Sequence, residues 1–331
     1  MAKQDVFSSD YFSMRTLTAS INKVPVKPSR IAKLGIFEEK GIATTECAIE
    51  FQDNKIALVP TTPRGGPAPV YTHAKREAVP FTLPHLITRC TLLGDAIQNV
   101  RASGGTDTLV ITDAIEERLL GMRVNLEATI EYHRMGGIKG VVLDANGSVL
   151  FDTFAEFDVV KSTHALDLSA QGGSLRNQVI AARRKAEKVL GDDAGKVSKW
   201  VCLSSSGFFD GLVSHPSMES YFSGWDGASS LRDDIRESFP IGGVSFEEYV
   251  GSIGGVNFIE DGKAYLVPVG VPGLFISRFG PADYAETLNT IGVPYYAKSV
   301  PMEFDRGAKM EAQSNPINLC TRPDAVVELS I

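Results

Sequence analysis

Residues 43–85 read ATTECAIEFQDNKIALVPTTPRGGPAPVYTHAKREAVPFTLPH. Cys47, Ile49 and Phe51 alternate with Ala48, Glu50 and Gln52, the two-residue period of a half-buried strand. Asp53-Asn54 is a hairpin-type turn dipeptide, and Ile56 to Val59 resumes an apolar strand. PTTPRGGPAP (60–69) follows, with four prolines and two glycines in ten residues, so neither helix nor paired strand can pass through it. Val79, Phe81 and Leu83 alternate again with Pro80 and Pro84 between them, which confines this return to an edge strand or an extended loop. Some forty residues thus hold no helix and few positions able to build a core. Irregular stretches beyond about 15 residues are usually functional or disordered, and the alternating apolar residues argue against disorder. The pattern predicts an extended β-arm that completes its burial against another chain. Ile49, Phe51, Val79 and Phe81 are the candidate contacts, with Arg64 at the tip and Gly65 and Gly66 letting the tip bend.

Downstream lies the clearest helix. Ile115, Leu119, Met122, Leu126, Ile130 and His133 recur at steps of three and four and define one apolar face. Thr112 or Asp113 can cap its start, Asp113 and Glu116 have capping-box spacing, and Gly136-Gly137 is the expected stop. A helix over 112–136 would be about 37 Å long at 1.5 Å per residue. That crosses most of a molecule whose radius of gyration should be about 20 Å. It would act as a spine. GVVLDANGSVLFDTF (140–154) reads as a hairpin turning at Asn146-Gly147, and the sequon Asn146-Gly147-Ser148 is read as that turn. A second helix is expected over 174–190, with Ser174 as cap, one face of Leu175, Val179, Ala182, Ala186 and Leu190, and Gly191 as stop. Further expectations are a strand at 199–203, a helix capped by Ser206, strands at 242–249, 256–259 and 264–269, and a short helix from Pro281 to about Thr290. Residues 1–42 show no periodic core pattern, and Pro25 and Pro28 break helix there, so they read as an arm lying on something else.

The chemistry is conspicuous by what it lacks. The 331 residues are 43% hydrophobic and 22% charged, an ordinary globular composition with a net charge of −7. An acidic chain does not coat nucleic acid, which demands a basic face, although it can form the wall of a container. The N-terminus has no apolar signal core, and no run approaches 18 apolar residues, so neither secretion nor a membrane span is expected. Cys47, Cys90, Cys202 and Cys320 lack CxxC spacing and read as small hydrophobes. His73, His85, His133, His164 and His215 have no metal-ligand spacing, and no cofactor is implied. Gly262-Lys263 lacks the earlier glycine and the following Ser/Thr of a phosphate-binding loop. Ser204-Ser205-Ser206-Gly207, with Asp210 and His215 nearby, lacks a nucleophile elbow and stands where a helix needs a cap. The acidic pairs Glu116-Glu117, Asp192-Asp193, Asp233-Asp234 and Glu247-Glu248 are adjacent in sequence and so do not share a helix face. The chain is therefore not expected to be an enzyme.

Local motifs then point to a family. Pro63-Arg64-Gly65 and Pro84-His85 stand at the tip and return of the arm. Tyr265 to Gly270 (YLVPVG), Pro272 to Phe275 (PGLF), Pro281 to Tyr284 (PADY), Asn289 to Lys298 (NTIGVPYYAK), Gln313 to Pro316 (QSNP) and Arg322-Pro323 follow in order. With these the chain resembles the lambda-like major capsid protein E family over essentially its whole length. The resemblance implies an α+β fold of the Hong Kong 97 capsid type. It would make residues 1–45 an N-terminal arm, 46–85 the extended loop, 86–165 with 300–331 a peripheral domain, and 166–299 an axial domain. It implies a major capsid protein whose copies form the hexamers and pentamers of an icosahedral phage head. Such a head encloses double-stranded DNA without reading its sequence. Scaffold, portal and decoration proteins are the implied partners, and assembly would take place in the host cytoplasm. Some relatives of this fold crosslink through a loop lysine, for which Lys55 and Lys75 are the candidates, whereas the lambda-like branch is held non-covalently. The competing readings are an encapsulin-like compartment, which would hold protein cargo, and a soluble α/β hydrolase or nucleotide-using enzyme, which would require a coherent site.

Overall fold

A computed structural model describes residues 13–23, 29–52, 76–97, 107–168, 174–218, 238–253 and 255–331. The first half of the chain gives α1 (Met14–Lys23), α2 (Arg30–Leu34), β1 (Glu38–Gly41), β2 (Glu46–Gln52), β3 (Arg76–Thr82), β4 (Leu86–Leu93), α3 (Gly94–Ile97) and α4 (Asp107–Lys139). Then come β5 (Val141–Leu143), β6 (Val149–Asp152), α5 (Thr153–Glu156), β7 (Ser162–Ala165), α6 (Leu175–Leu190), β8 (Lys199–Ser204) and α7 (Ser206–Val213). The remainder is β-rich: β9 (Phe239–Ile241), β10 (Val244–Glu248), β11 (Ser252–Ile253), β12 (Val256–Asn257), β13 (Lys263–Val269), β14 (Phe275–Phe279), β15 (Tyr296–Pro301), β16 (Gly307–Ser314), β17 (Pro316–Cys320) and β18 (Val327–Ser330).

The spine is α4, 33 residues and thus about 50 Å long. Its expected apolar face is buried: Ile115, Leu119, Met122, Leu126 and Ile130 pack with Leu92, Ala297, Ala308, Met310 and Ala312 from the sheet β15-β16-β4. The helix does not stop at Gly136-Gly137. Its last turns enter a second core, where residues 133–138 are all buried. The two glycines are there because backbone passes too close for a side chain. A Cβ at Gly136 would lie 2.9 Å from the Val142 Cα, and one at Gly137 would lie 2.7 Å from the Asn318 carbonyl oxygen. The actual stop is Gly140, left-handed at φ +83°, where the β5–β6 hairpin begins.

The second core surrounds a six-stranded mixed sheet of order β7-β18-β13-β8-β10-β9. Against it α6 lays Leu175, Val179, Ala182, Ala186 and Leu190, the face its sequence marks out. Ser205, not Ser206, caps α7, its hydroxyl accepting from the Phe208 N–H. The structure divides 300–331 between the sheets: β16 runs beside β4, whereas β18 lies between β7 and β13. Residues 281–290 form only a 3₁₀ turn at Ala285–Thr287, not the expected helix. The Thr287 hydroxyl donates to the Ala282 carbonyl, which an α-helix would give to the Glu286 N–H, while Gln313 Oε1 accepts from the Asp283 N–H.

The described parts of the N-terminal segment, residues 13–23 and 29–42, pack on their own subunit. Leu17 and Ile21 bury one face of α1 in the spine core. The Thr18 hydroxyl donates to the Ala297 carbonyl and accepts from the Ala297 N–H, and Asn22 Nδ2 donates to the Tyr295 carbonyl. Two side chains one helical turn apart thereby occupy the edge of β15, where unpaired backbone would otherwise invite another strand. Arg123 of α4 donates to the Ile21 carbonyl in the last turn of α1, a favourable place for a cation. Next along the spine, buried Glu131 takes hydrogen bonds from the Ser29 hydroxyl (2.5 Å), the Ile31 N–H (2.9 Å) and the Tyr249 hydroxyl (3.0 Å). A carboxylate of α4 thus caps α2 and binds it to the larger sheet's domain.

Candidate assembly surface at the root of the loop

The arm begins as a two-stranded antiparallel hairpin, with Glu46 opposite Thr82 and Gln52 opposite Arg76. Pro80 lies opposite Ala48 and is tolerated because each strand of an isolated pair has a free edge. Cys47, Ile49, Val79 and Phe81 share one face. Ile49 and Phe81 are buried against Ile276, Ile317 and Leu319 of the same chain, and the rings of Phe151 and Phe157 meet Phe81 edge-on at 5.9 and 5.7 Å. Both side chains thereby root the hairpin in its own subunit. Val79 packs half-buried beside them. Phe51 stands in β2 opposite Glu77. Arg64, Gly65 and Gly66 lie outside the described residues, as do Lys55 and Lys75.

Residues far apart in sequence converge at this root. His85 Nδ1 lies 2.7 Å from Asn315 Oδ1, and Asn315 Nδ2 donates to the Pro281 carbonyl. The Gly280 N–H donates to the Asn315 carbonyl, the Ile42 N–H to the Phe279 carbonyl and the Gly292 N–H to the Ile42 carbonyl. The strands come so close that a Cβ on Gly292 would lie 2.0 Å from the Phe279 oxygen, and one on Gly41 2.1 Å from the Gly292 oxygen. Pro84-His85, Pro281-Ala282-Asp283, Ile291-Gly292 and Asn315-Pro316 are thus one structural joint. Beside it the hairpin's outer face and the 281–289 loop enclose an open groove of about 930 Å³.

The profile of the phage major capsid protein E family matches residues 13–331. The chain belongs to this family. It is 25% identical over 359 residues to the major capsid protein of Salmonella phage Felix O1 and 24% identical over 340 residues to that of Pseudomonas phage KPP10. Each alignment covers 96% of both chains. Among solved structures, the fold is shared with the capsid of cyanophage P-SCSP1u (TM-score 0.53, 8% identity, covering 92% of this chain and 89% of that one). It is shared also with the mature capsid of bacteriophage PhiM1 (TM-score 0.51, 12% identity, covering 89% and 84%). The α+β architecture is that of the Hong Kong 97 type. The protein is a major capsid protein of a phage head, its place is the virion, and copies assemble into a multimeric shell.

Within this capsid protein the serines and histidines near α7 have structural work. Ser204 donates to the Glu247 carbonyl, Ser205 caps α7, and His215 Nδ1 is bonded to Ser217. The four cysteines are free thiols, and burial raises the pKa of each. His133, on the spine between the directions of Gly136 and Gly137, is buried with neither ring nitrogen hydrogen-bonded, and desolvation lowers its pKa to about 4 despite nearby Asp144. Reading by sequence missed the exposed apolar side chains Leu288 and Ile291 beside the groove, and Phe304, 86% exposed at φ +60°. Exposure leaves no mark on residue type, and Leu288 falls in a segment whose pattern suggests helix.

Proposed function

We propose that this capsid protein forms the hexamers and pentamers of an icosahedral head around double-stranded DNA. Assembly takes place in the host cytoplasm with scaffold, portal and decoration proteins as partners. The loop 46–85 is the reaching element: its base is fixed in its own subunit and its Pro/Gly-rich stretch engages neighbours. The observation that carries this is the joint itself. Ile49 and Phe81 lock the hairpin into the core, and the close approaches at Gly41 and Gly292 brace the joint behind it, so a contact made by the loop is transmitted to the whole subunit. Many weak contacts of this kind stabilise a closed particle through multivalency.

Deletion of residues 60–69 tests the reading. It leaves both strands of the hairpin in place, and we expect folded subunits that elute from size exclusion without forming particles. Normal shells of the deletion variant in electron micrographs would refute the role given to the loop. Phe81→Asp is not an equivalent test, since it places a charge in the subunit's own core.

A further inference from the structure

The groove at the loop's root has a chemistry that selects a particular occupant. Its walls are Ala48, Pro80 and Leu83 on the hairpin side and Pro281 and Leu288 on the other, with Leu288 73% exposed. Two carboxylates, Glu46 and Asp283, stand exposed along it, and among the described residues neither takes part in an ion pair. A groove with proline and leucine walls and acidic lips suits an extended, proline-rich segment that carries a cation. Such segments enter grooves with little entropy to lose, because proline has already fixed their backbone.

Residues 60–69 form a segment of this kind. PTTPRGGPAP (60–69) has four prolines, lacks any acidic residue and centres on Arg64. Its surroundings are basic too: residues 53–76 hold Lys55, Arg64, Lys75 and Arg76 against Asp53 alone, within a chain of net charge −7. We propose that this groove receives residues 60–69 of a second copy, with Arg64 between Glu46 and Asp283. The proposal rests on the reading of the loop as an intersubunit element and gives that element its receptor.

Chain length argues for a second copy over the loop folding back on itself. The groove lies at the Glu46–Thr82 end of the hairpin, and Gln52–Arg76 is six residues further out, about 20 Å away at 3.3 Å per residue. Residues 53–59 span at most about 23 Å and residues 70–75 about 20 Å. The return would consume both connections at full extension and leave nothing for the two reversals of direction.

Charge reversal tests the pairing. The Glu46→Arg/Asp283→Arg variant and, separately, Arg64→Glu should keep the wild-type thermal melt, since these groove carboxylates are exposed, and should lose particle formation. Combining all three substitutions should restore particles. Normal assembly of either charge variant would overturn the proposal. If 60–69 deletion still abolished assembly in that case, the wider role of the loop would survive without this receptor. An Arg64→Cys/Leu288→Cys variant settles the source of the segment. Oxidised particles should give a ladder of covalent oligomers on a non-reducing denaturing gel, absent from each single variant. A disulfide-linked monomer, or no crosslink at all, would overturn the assignment to a second copy.

Discussion

Alanine at Gly137 and alanine at Gly121 should change stability in opposite directions, although both lie in α4. Helix propensity alone favours both replacements by about 1 kcal/mol, because alanine loses less backbone freedom on folding. At Gly121 nothing lies within 4 Å of the added Cβ, and the residue is exposed, so that gain should be realised in full. At Gly137 the Cβ would stand 2.7 Å from the Asn318 oxygen and 3.2 Å from the Leu319 Cα. These are backbone atoms of a buried strand and cannot rotate aside. Relief requires α4 to move off β17 by about half an ångström, loosening the packing around Ile317 and Leu319, both fully buried. Overpacking of this kind costs about 3 kcal/mol at the upper end of its usual range, so Gly137→Ala should lose about 2 kcal/mol net. The two variants should therefore differ by about 3 kcal/mol. Urea titration of unassembled subunits, followed by circular dichroism, measures both midpoints against wild type. If Gly137→Ala matched or exceeded wild type, close packing could not be the reason glycine stands there, and the account of how the spine enters the second core would be wrong.

Glu131→Ala should remove the acceptor from three donors at once and destabilise the subunit by about 3 kcal/mol, with Glu131→Gln less harmful because it keeps an acceptor oxygen; an alanine variant within 0.5 kcal/mol of wild type in the same urea titration would show that the clasp does not hold α2. His133 should make the subunit acid-sensitive. Its folded pKa of about 4 lies below the ordinary 6.5, so the unfolded chain takes up the proton first, and stability falls as pH drops through that window. The loss should be about 2 kcal/mol at pH 5 relative to pH 8, and His133→Leu should flatten this part of the stability–pH profile; an unchanged slope in that variant would assign the sensitivity to other groups.

Much of the architecture is legible in local pattern because it depends on period alone. The apolar steps from Ile115 to Ile130 and from Leu175 to Leu190 mark faces that are buried as expected, and Asn146-Gly147 turns the hairpin where its dipeptide says it should, with Gly147 at φ +84°. The errors fall where a specific contact replaces a local rule. Gly136-Gly137 has the signature of a helix end, yet β5 and β17 press on that segment and the helix continues to Lys139. Residues 281–290 have a helix-opening proline, yet the Thr287 hydroxyl donates to the Ala282 carbonyl and the Thr287 N–H to the Tyr284 carbonyl, so the backbone is held in a 3₁₀ turn. Helix α1 is only ten residues long, too short for its Leu17–Ile21 spacing to stand out without the spine it packs on.

The site divides along the same line. By itself the sequence predicted two alternating apolar stretches on either side of a Pro/Gly-rich segment within residues 43–85, with no helix there, since proline removes a backbone donor and clashes with the preceding helical turn. Only the tertiary structure decided which loop residues face inward. Strand alternation places Ile49, Val79 and Phe81 on one face without saying what covers it, and the covering side chains Ile276, Ile317 and Leu319 come from more than 190 residues away. Likewise, His85, Asn315 and Pro281 are unremarkable as single residues, and their hydrogen-bonded joint exists only once β4, β14 and β17 have brought their ends together. Periodicity fixes the direction in which a side chain points, whereas its partner is fixed by the path of the rest of the chain.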